Sequence, residues 1–137
     1  MIRVVLDTNI LVSTALPRSR LQPVVAAWQQ RRCRVLISPE IFDEYLRVLT
    51  YPKFRLSSDE IRRIVEREIL PYTELVHVTS QFRVVTDDPS DDKFLACAVD
   101  GHAGWLVTGD RHLLVLRTFR GVRIGPPAAF LQALQRA

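Results

Sequence analysis

Apolar and polar residues along this chain follow two rhythms. Apolar residues run together at Val4-Val5-Leu6, within 34–37 and within 105–108, and 122–124 reads as a last strand, each bounded by polar or turn-forming residues. A run without alternation is what a strand covered on both faces looks like, as strands of parallel sheets are. Between these runs the apolar residues recur at three- and four-residue spacing, which marks helices with one buried stripe. The spacing predicts a short helix over 9–16, ended by Pro17, with 18–20 a loop. Pro23 suits the first turn of a second helix, which carries Val24, Val25, Ala27 and Trp28. Ser38 is a natural N-cap with Pro39 at the first helical position, and that helix runs to about Leu49 before Tyr51-Pro52 breaks it. Ser57 with Glu60 three residues on makes a capping box. It opens a helix with Ile61, Ile64, Val65 and Ile69 at core spacing, closed by Pro71. Residues 74–78 and 82–85 read as extended, and one of them should supply a third strand. Asp88-Pro89-Ser90 is turn chemistry; after it, 91–100 predicts a helix with Leu95, Ala96 and Val99 on one face. Asp110 begins a short helix, and Pro126-Pro127 start a closing one that holds Phe130, Leu131 and Leu134. Strands alternate with helices and no repeat or linker interrupts them. The expectation is one α/β domain over residues 1–137, a parallel sheet with helices on both faces.

Composition agrees with that picture. At 137 residues and 47% hydrophobic, the chain can bury a core of its own. No apolar run approaches the ~20 residues that span a bilayer, and acid and polar residues follow the first apolar stretch too soon for a signal peptide. Cys33 and Cys97 lack CxxC spacing and suit small core thiols better than a disulfide. A cytoplasmic protein is expected.

The chemistry lies in the acids. Asp7 ends the first buried run and is followed by two small polar residues, Thr8 and Asn9. A buried carboxylate is costly unless paired, hydrogen-bonded or bound to metal, but at the carboxyl end of a parallel strand it emerges where α/β folds place ligands. Asp110 follows the run 105–108 in the same way. Glu44 falls at the border of its helix's apolar stripe, and Asp92 shares the side of Leu95, Ala96 and Val99. Each acid alone has a plainer reading. Asp92 and Asp110 suit helix N-termini, where a negative charge contributes about 0.3–1 kcal/mol, Glu44 suits a solvated face and Asp7 an Asx turn. Jointly, two strand-ending acids and two on helices that follow strands can meet at one end of a parallel sheet. Clustered carboxylates repel, and a hard divalent cation removes that penalty. An all-oxygen set suits Mg²⁺ or Mn²⁺, and no His or Cys has zinc-like spacing. The net charge of +4 becomes +8 once these four acids are set apart. Nearly all the basic residues are arginine, with only Lys53 and Lys93 as lysines. Arginine suits phosphate oxygens, so a nucleic-acid partner and a solvated basic surface both remain open on charge alone.

These residues resemble a known family. Leu6-Asp7-Thr8-Asn9-Ile10-Leu11, Ser38-Pro39-Glu40 leading to Glu44, Asp91-Asp92-Lys93-Phe94-Leu95-Ala96 and Val107-Thr108-Gly109-Asp110 look like PIN-domain ribonucleases. They are most similar to the PIN-family toxins of bacterial and archaeal toxin–antitoxin modules (VapC-like). The likeness covers essentially the whole chain, although 51–81 carries no family motif. It implies a three-layer α/β/α sandwich with a central parallel sheet of four to five strands. It also implies a metal-dependent endoribonuclease, a hydrolase of RNA phosphodiester bonds, that forms a homodimer and binds an antitoxin protein. Asp7, Glu44, Asp92 and Asp110 match the family's catalytic, metal-binding acids. Thr8, Asn9 and Thr108 would support them, and Asp91 could replace Asp92, though the Asp-x-x-Leu-Ala spacing favours Asp92. Glu40, Asp87 and Asp88 would lie at the rim.

Such a mechanism needs no histidine base, because metal-bound water is a usable nucleophile near neutral pH. His77, His102 and His112 are scattered and read as structural or surface residues. Arg18, Arg20 and Arg111 could guide a phosphate backbone or simply be solvated. Two rivals compete with the nuclease. A phosphatase or phosphoryl-transfer domain with an aspartyl nucleophile would place a second Asp two residues after the first, where this chain has Asn9. A non-catalytic RNA-binding module would leave four mutually repelling acids without a purpose.

Overall fold

The computed structural model describes residues 1–15, 22–84 and 91–136. Its strands are β1 (Ile2–Leu6), β2 (Cys33–Ile37), β3 (Thr73–Leu75), β4 (Trp105–Val107), β5 (Thr118–Phe119) and β6 (Val122–Gly125). They form one sheet in the order β3-β2-β1-β4-β6-β5. Every pairing is parallel except β5 with β6. The helices are α1 (Thr8–Ala15), α2 (Gln22–Gln29), α3 (Pro39–Leu49), α4 (Ser58–Arg63), α5 (Asp92–Asp100), α6 (Arg111–Leu114) and α7 (Pro127–Arg136).

The expected apolar runs form the middle of the sheet. Val4, Val5, Leu6, Leu36, Leu106 and Val107 are completely buried, because helices cover both faces. Side chains alternate across the sheet, so neighbours in β2 report opposite sides. Val35 lines a small internal cavity with Leu11 of α1 and Trp28 of α2. Leu36 faces the end of α5, where Gly101 packs so tightly that a Cβ there would stand 2.8 Å from Leu36 Cδ1 and 2.9 Å from the Cys97 carbonyl. Trp105 meets Phe130 of α7 edge-on at 5.9 Å. The result is an α/β/α sandwich. Cys33 and Cys97 are buried free thiols, pushed by burial up to about 11 and about 12.

Local caps stand where the residues predict them. Ser38 accepts from the Ile41 amide at 3.2 Å, and Ser57 and Glu60 exchange both capping-box bonds. Three features differ from the sequence expectation. The helix after Ser57 widens past Arg63 into a π-helical turn, Ile64–Ile69, with the Leu70 amide bonded to the Val65 carbonyl. The third strand, Thr73–Leu75, comes from the first of the two extended segments but starts one residue earlier and ends at Leu75, with the Val76 amide still bonded to the Ile37 carbonyl at 2.8 Å. The amides farther on have other partners: Asp100 accepts from Thr79 and Ser80 at 2.7 and 2.8 Å, and Asp92 accepts from Val84 at 3.2 Å. Finally, β5 makes six strands where four to five were expected. It joins β6 through Arg120 (φ 48°) and Gly121 (φ 85°). Two consecutive positive φ values are the geometry that a tight two-residue hairpin turn demands. The predicted loop at 18–20 and the turn at Asp88-Pro89-Ser90 lie outside the described residues, as do Arg18, Arg20, Asp87 and Asp88.

The chain order puts β1 between β2 and β4. After β1 the chain builds one side of the sheet through β2 and β3, then crosses to the other side at β4. The carboxyl ends of β1 and β4 therefore border the switch point, the crevice where open α/β sheets bind ligands.

Candidate active site

Asp7 and Thr108 are the first residues beyond β1 and β4. Their backbones stay in the sheet: the Asp7 amide donates to the Val107 carbonyl and the Thr108 amide to the Gly125 carbonyl, both at 3.0 Å. The two side chains consequently meet. The buried Thr108 hydroxyl donates to Asp7 Oδ2 at 2.6 Å and accepts from the Asp110 amide at 3.0 Å. One hydroxyl thus ties together both strand-ending acids. Asp110 also caps α6 by accepting from the His112 amide at 2.8 Å, so its plainer reading holds as well.

Glu44 reaches the same region from α3. The adjacent Tyr45 anchors that helix: its hydroxyl, fully buried, donates to the Leu6 carbonyl at 2.5 Å. Thr8 donates its hydroxyl to Glu44 Oε2. Lys93 Nζ stands 2.6 Å from Glu44 Oε1, and Arg47 lies 3.7 Å from the same oxygen. Asp91 and Asp92 are both buried at the start of α5, beside Lys93. Asn9 is exposed, and its tie to Asp7 is a backbone hydrogen bond rather than a side-chain one. Arg111 is exposed next to Asp110.

Electrostatics show which acids share a field. The Asp7 carboxyl is pushed up, first by burial; the Thr108 and Asn9 hydrogen bonds oppose this, and the charges of Asp110 and Glu44 add to it. Asp7, Glu44 and Asp110 therefore form one repelling group in this crevice. In donor chemistry the group fits a hard divalent ion, since it offers carboxylate and hydroxyl oxygens. As they stand, however, no three acids, histidines or cysteines among the described residues come close enough together to hold one ion. Glu44 is instead engaged by Lys93.

A groove of about 570 Å³ opens beside Asp92 and Lys93, lined also by Glu40, His77, Phe82 and Arg83 among others. Phe82 is fixed in its wall by an edge-on contact with Phe119 at 5.1 Å and by the Arg120 guanidinium 4.7 Å above its ring. Sequence reasoning missed two residues here, Lys93 and Tyr45. Lys93 follows Asp92 directly and is one of two lysines in an arginine-rich chain, which was the available signal. Tyr45 lies in the apolar stripe of α3, four residues after Ile41 and three before Val48, and that spacing carries no sign of its hydroxyl's partner.

Comparison with known proteins adds independent findings. The profile of one family, described as the PIN domain, matches residues 3–112. Among solved structures, the chain is similar to PAE2754 from Pyrobaculum aerophilum, with a TM-score of 0.63 at 16% identity over 99% of this chain and 98% of that one. It is also similar to FitAcB from Neisseria gonorrhoeae, with a TM-score of 0.55 at 15% identity over 91% and 98%. At such identities the likeness is one of fold. A search of curated protein sequences gave no match.

Proposed function

The chain belongs to the PIN-domain family, a family of nucleases, and from that premise we propose a metal-dependent endoribonuclease, the toxin of a toxin–antitoxin module. The observation that carries this reading is the repelling group of Asp7, Glu44 and Asp110 at the switch point, with Asp7 pushed up by burial and by the other two charges. Asp7, Glu44, Asp92 and Asp110 would hold Mg²⁺ or Mn²⁺. Such an ion supplies a nucleophilic water at neutral pH and offsets charge on the phosphate. The chain's own groups do the rest. Thr108 and the Asn9 amide fix the Asp7 carboxylate, and Thr8 fixes Glu44. The adjoining groove, with Arg83 and His77 on its wall and Arg111 near Asp110, gives a single strand a path past the acids. Arg18 and Arg20 remain candidates for backbone contact from the sequence.

Incubation with total RNA tests this directly. Cleavage should appear with Mn²⁺ or Mg²⁺ and stop with chelator, and mapped ends should cluster at preferred sites. Full cleavage in chelator, or none with either ion, refutes the proposal.

The antitoxin partner, the homodimer and a cytoplasmic location come with the same reading. No helix among the described residues is long and apolar enough to cross a membrane. Most apolar side chains of α3 and α4 pack on the core, but Tyr51, Leu70 and Leu75 remain exposed. Sedimentation at micromolar concentration should give twice the chain mass; a monomer would refute the dimer.

A further inference from the structure

Glu44 already has a cation. We infer that Lys93 is a resident counter-ion of this carboxylate, a positioning residue that a divalent ion must displace before Glu44 can join Asp7 and Asp110. The inference rests on the metal-dependent reading above but concerns a residue outside that donor set.

The geometry is specific. Lys93 Nζ and Glu44 Oε1 are 2.6 Å apart, with side chains only 9% and 16% exposed. Thr8 holds the other oxygen, so both ends of the carboxylate are engaged. Arg47 touches the same oxygen at 3.7 Å but is 65% exposed, and solvent screens such a pair heavily. Lys93 lies within the first turn of α5, one residue after Asp92, and its ammonium also lies 5.2 Å from the Phe94 ring centre. The pair is therefore largely removed from water, where separating two charges without replacement is costly.

Two consequences follow. In the metal-free protein, Lys93 neutralises one member of a repelling group and so supports the fold. When a divalent ion arrives, it competes with the ammonium for Glu44 and is repelled by it, so affinity is lower than the acids alone would allow. Lys93 also lines the adjoining groove, whose wall carries Glu40 and Asp92 as other carboxylates for the released ammonium.

Calorimetric titration of the whole protein with Mn²⁺, alongside thermal unfolding in chelator, tests this. Lys93→Met should bind Mn²⁺ about tenfold more tightly, within the usual range for coupled sites, and should melt lower than the natural protein in chelator. Lys93→Arg should keep the weaker affinity. Equal or weaker Mn²⁺ binding by Lys93→Met overturns the proposal alone, whereas a natural protein that binds no Mn²⁺ overturns the metal reading and this proposal with it. If Lys93→Met does not fold, the natural protein still decides by nuclear magnetic resonance. The Lys93 ammonium signal, held by Glu44 in chelator, should shift and exchange faster at saturating Mg²⁺. An unmoved signal overturns the proposal.

Discussion

Asp7→Asn is expected to lower RNA cleavage by about a thousandfold or more, yet to raise the melting temperature of the metal-free protein at neutral pH. The loss follows from removing a ligand charge where an ion supplies several kcal/mol of transition-state stabilisation, and each ~1.4 kcal/mol is tenfold in rate. The gain in stability follows from where Asp7 sits. Its carboxyl is pushed above the ordinary value of 3.8, chiefly by burial. The folded protein therefore holds a proton there more tightly than the unfolded chain does. Stability is lost as pH rises from the ordinary carboxylate range through the folded-state value. At neutral pH the natural protein carries a buried charge at full cost, and asparagine carries none. The advantage of the variant should shrink as pH falls through the folded-state value and vanish below the ordinary value of 3.8, where the carboxyl is protonated in both states. Adding Mn²⁺ should raise the melting temperature of the natural protein and leave the variant nearly unchanged. Cleavage assays and unfolding curves in chelator at neutral and acid pH check both halves. Undiminished cleavage, or a variant that melts lower at neutral pH, contradicts the account.

The largest stability effect is expected at Tyr45. Tyr45→Ala should cost about 3–5 kcal/mol, as truncation of a large buried ring does, lowering the melting temperature by roughly 10–20 °C for a chain of this size. Tyr45→Phe isolates the hydroxyl. It keeps the ring but takes the donor from the Leu6 carbonyl, and an orphaned buried acceptor costs about 1–3 kcal/mol. Because Leu6 precedes Asp7 and Glu44 precedes Tyr45, this bond ties the two acid-bearing elements together. Tyr45→Phe should therefore weaken Mn²⁺ binding in calorimetry as well as stability. Unchanged stability in Tyr45→Phe would show that the bond contributes nothing.

Much of the fold was legible because local rules governed it. Val4, Val5 and Leu6 read as a strand buried on both faces, and all three are. Ser38, and Ser57 with Glu60, cap helices by bonds that span three residues, so the partners are adjacent in the text. Other features depend on distant partners. The extended segment 82–85 was eligible for the sheet, but the Val84 amide goes to Asp92, and just before it the Thr79 and Ser80 amides go to Asp100; the two carboxylates stand at the two ends of α5. Short β5 exists because the turn at Arg120-Gly121 folds it back onto β6. Neither apolar spacing nor propensity marks the choice in either case.

The candidate site divides in the same way. Sequence alone determined which acids end or follow buried strands, because a continuous apolar run closed by Asp can be read along the chain. It also set the expectation of a hard cation, because like charges repel whatever fold gathers them. Only the tertiary structure decided which groups satisfy them. Thr108 binds Asp7 across a gap of a hundred residues, and Lys93 reaches Glu44 from a different helix. Those partnerships arise when the sheet brings β1 beside β4 and α5 beside α3. Distance and burial set their strength, and neither quantity is written in the order of the residues.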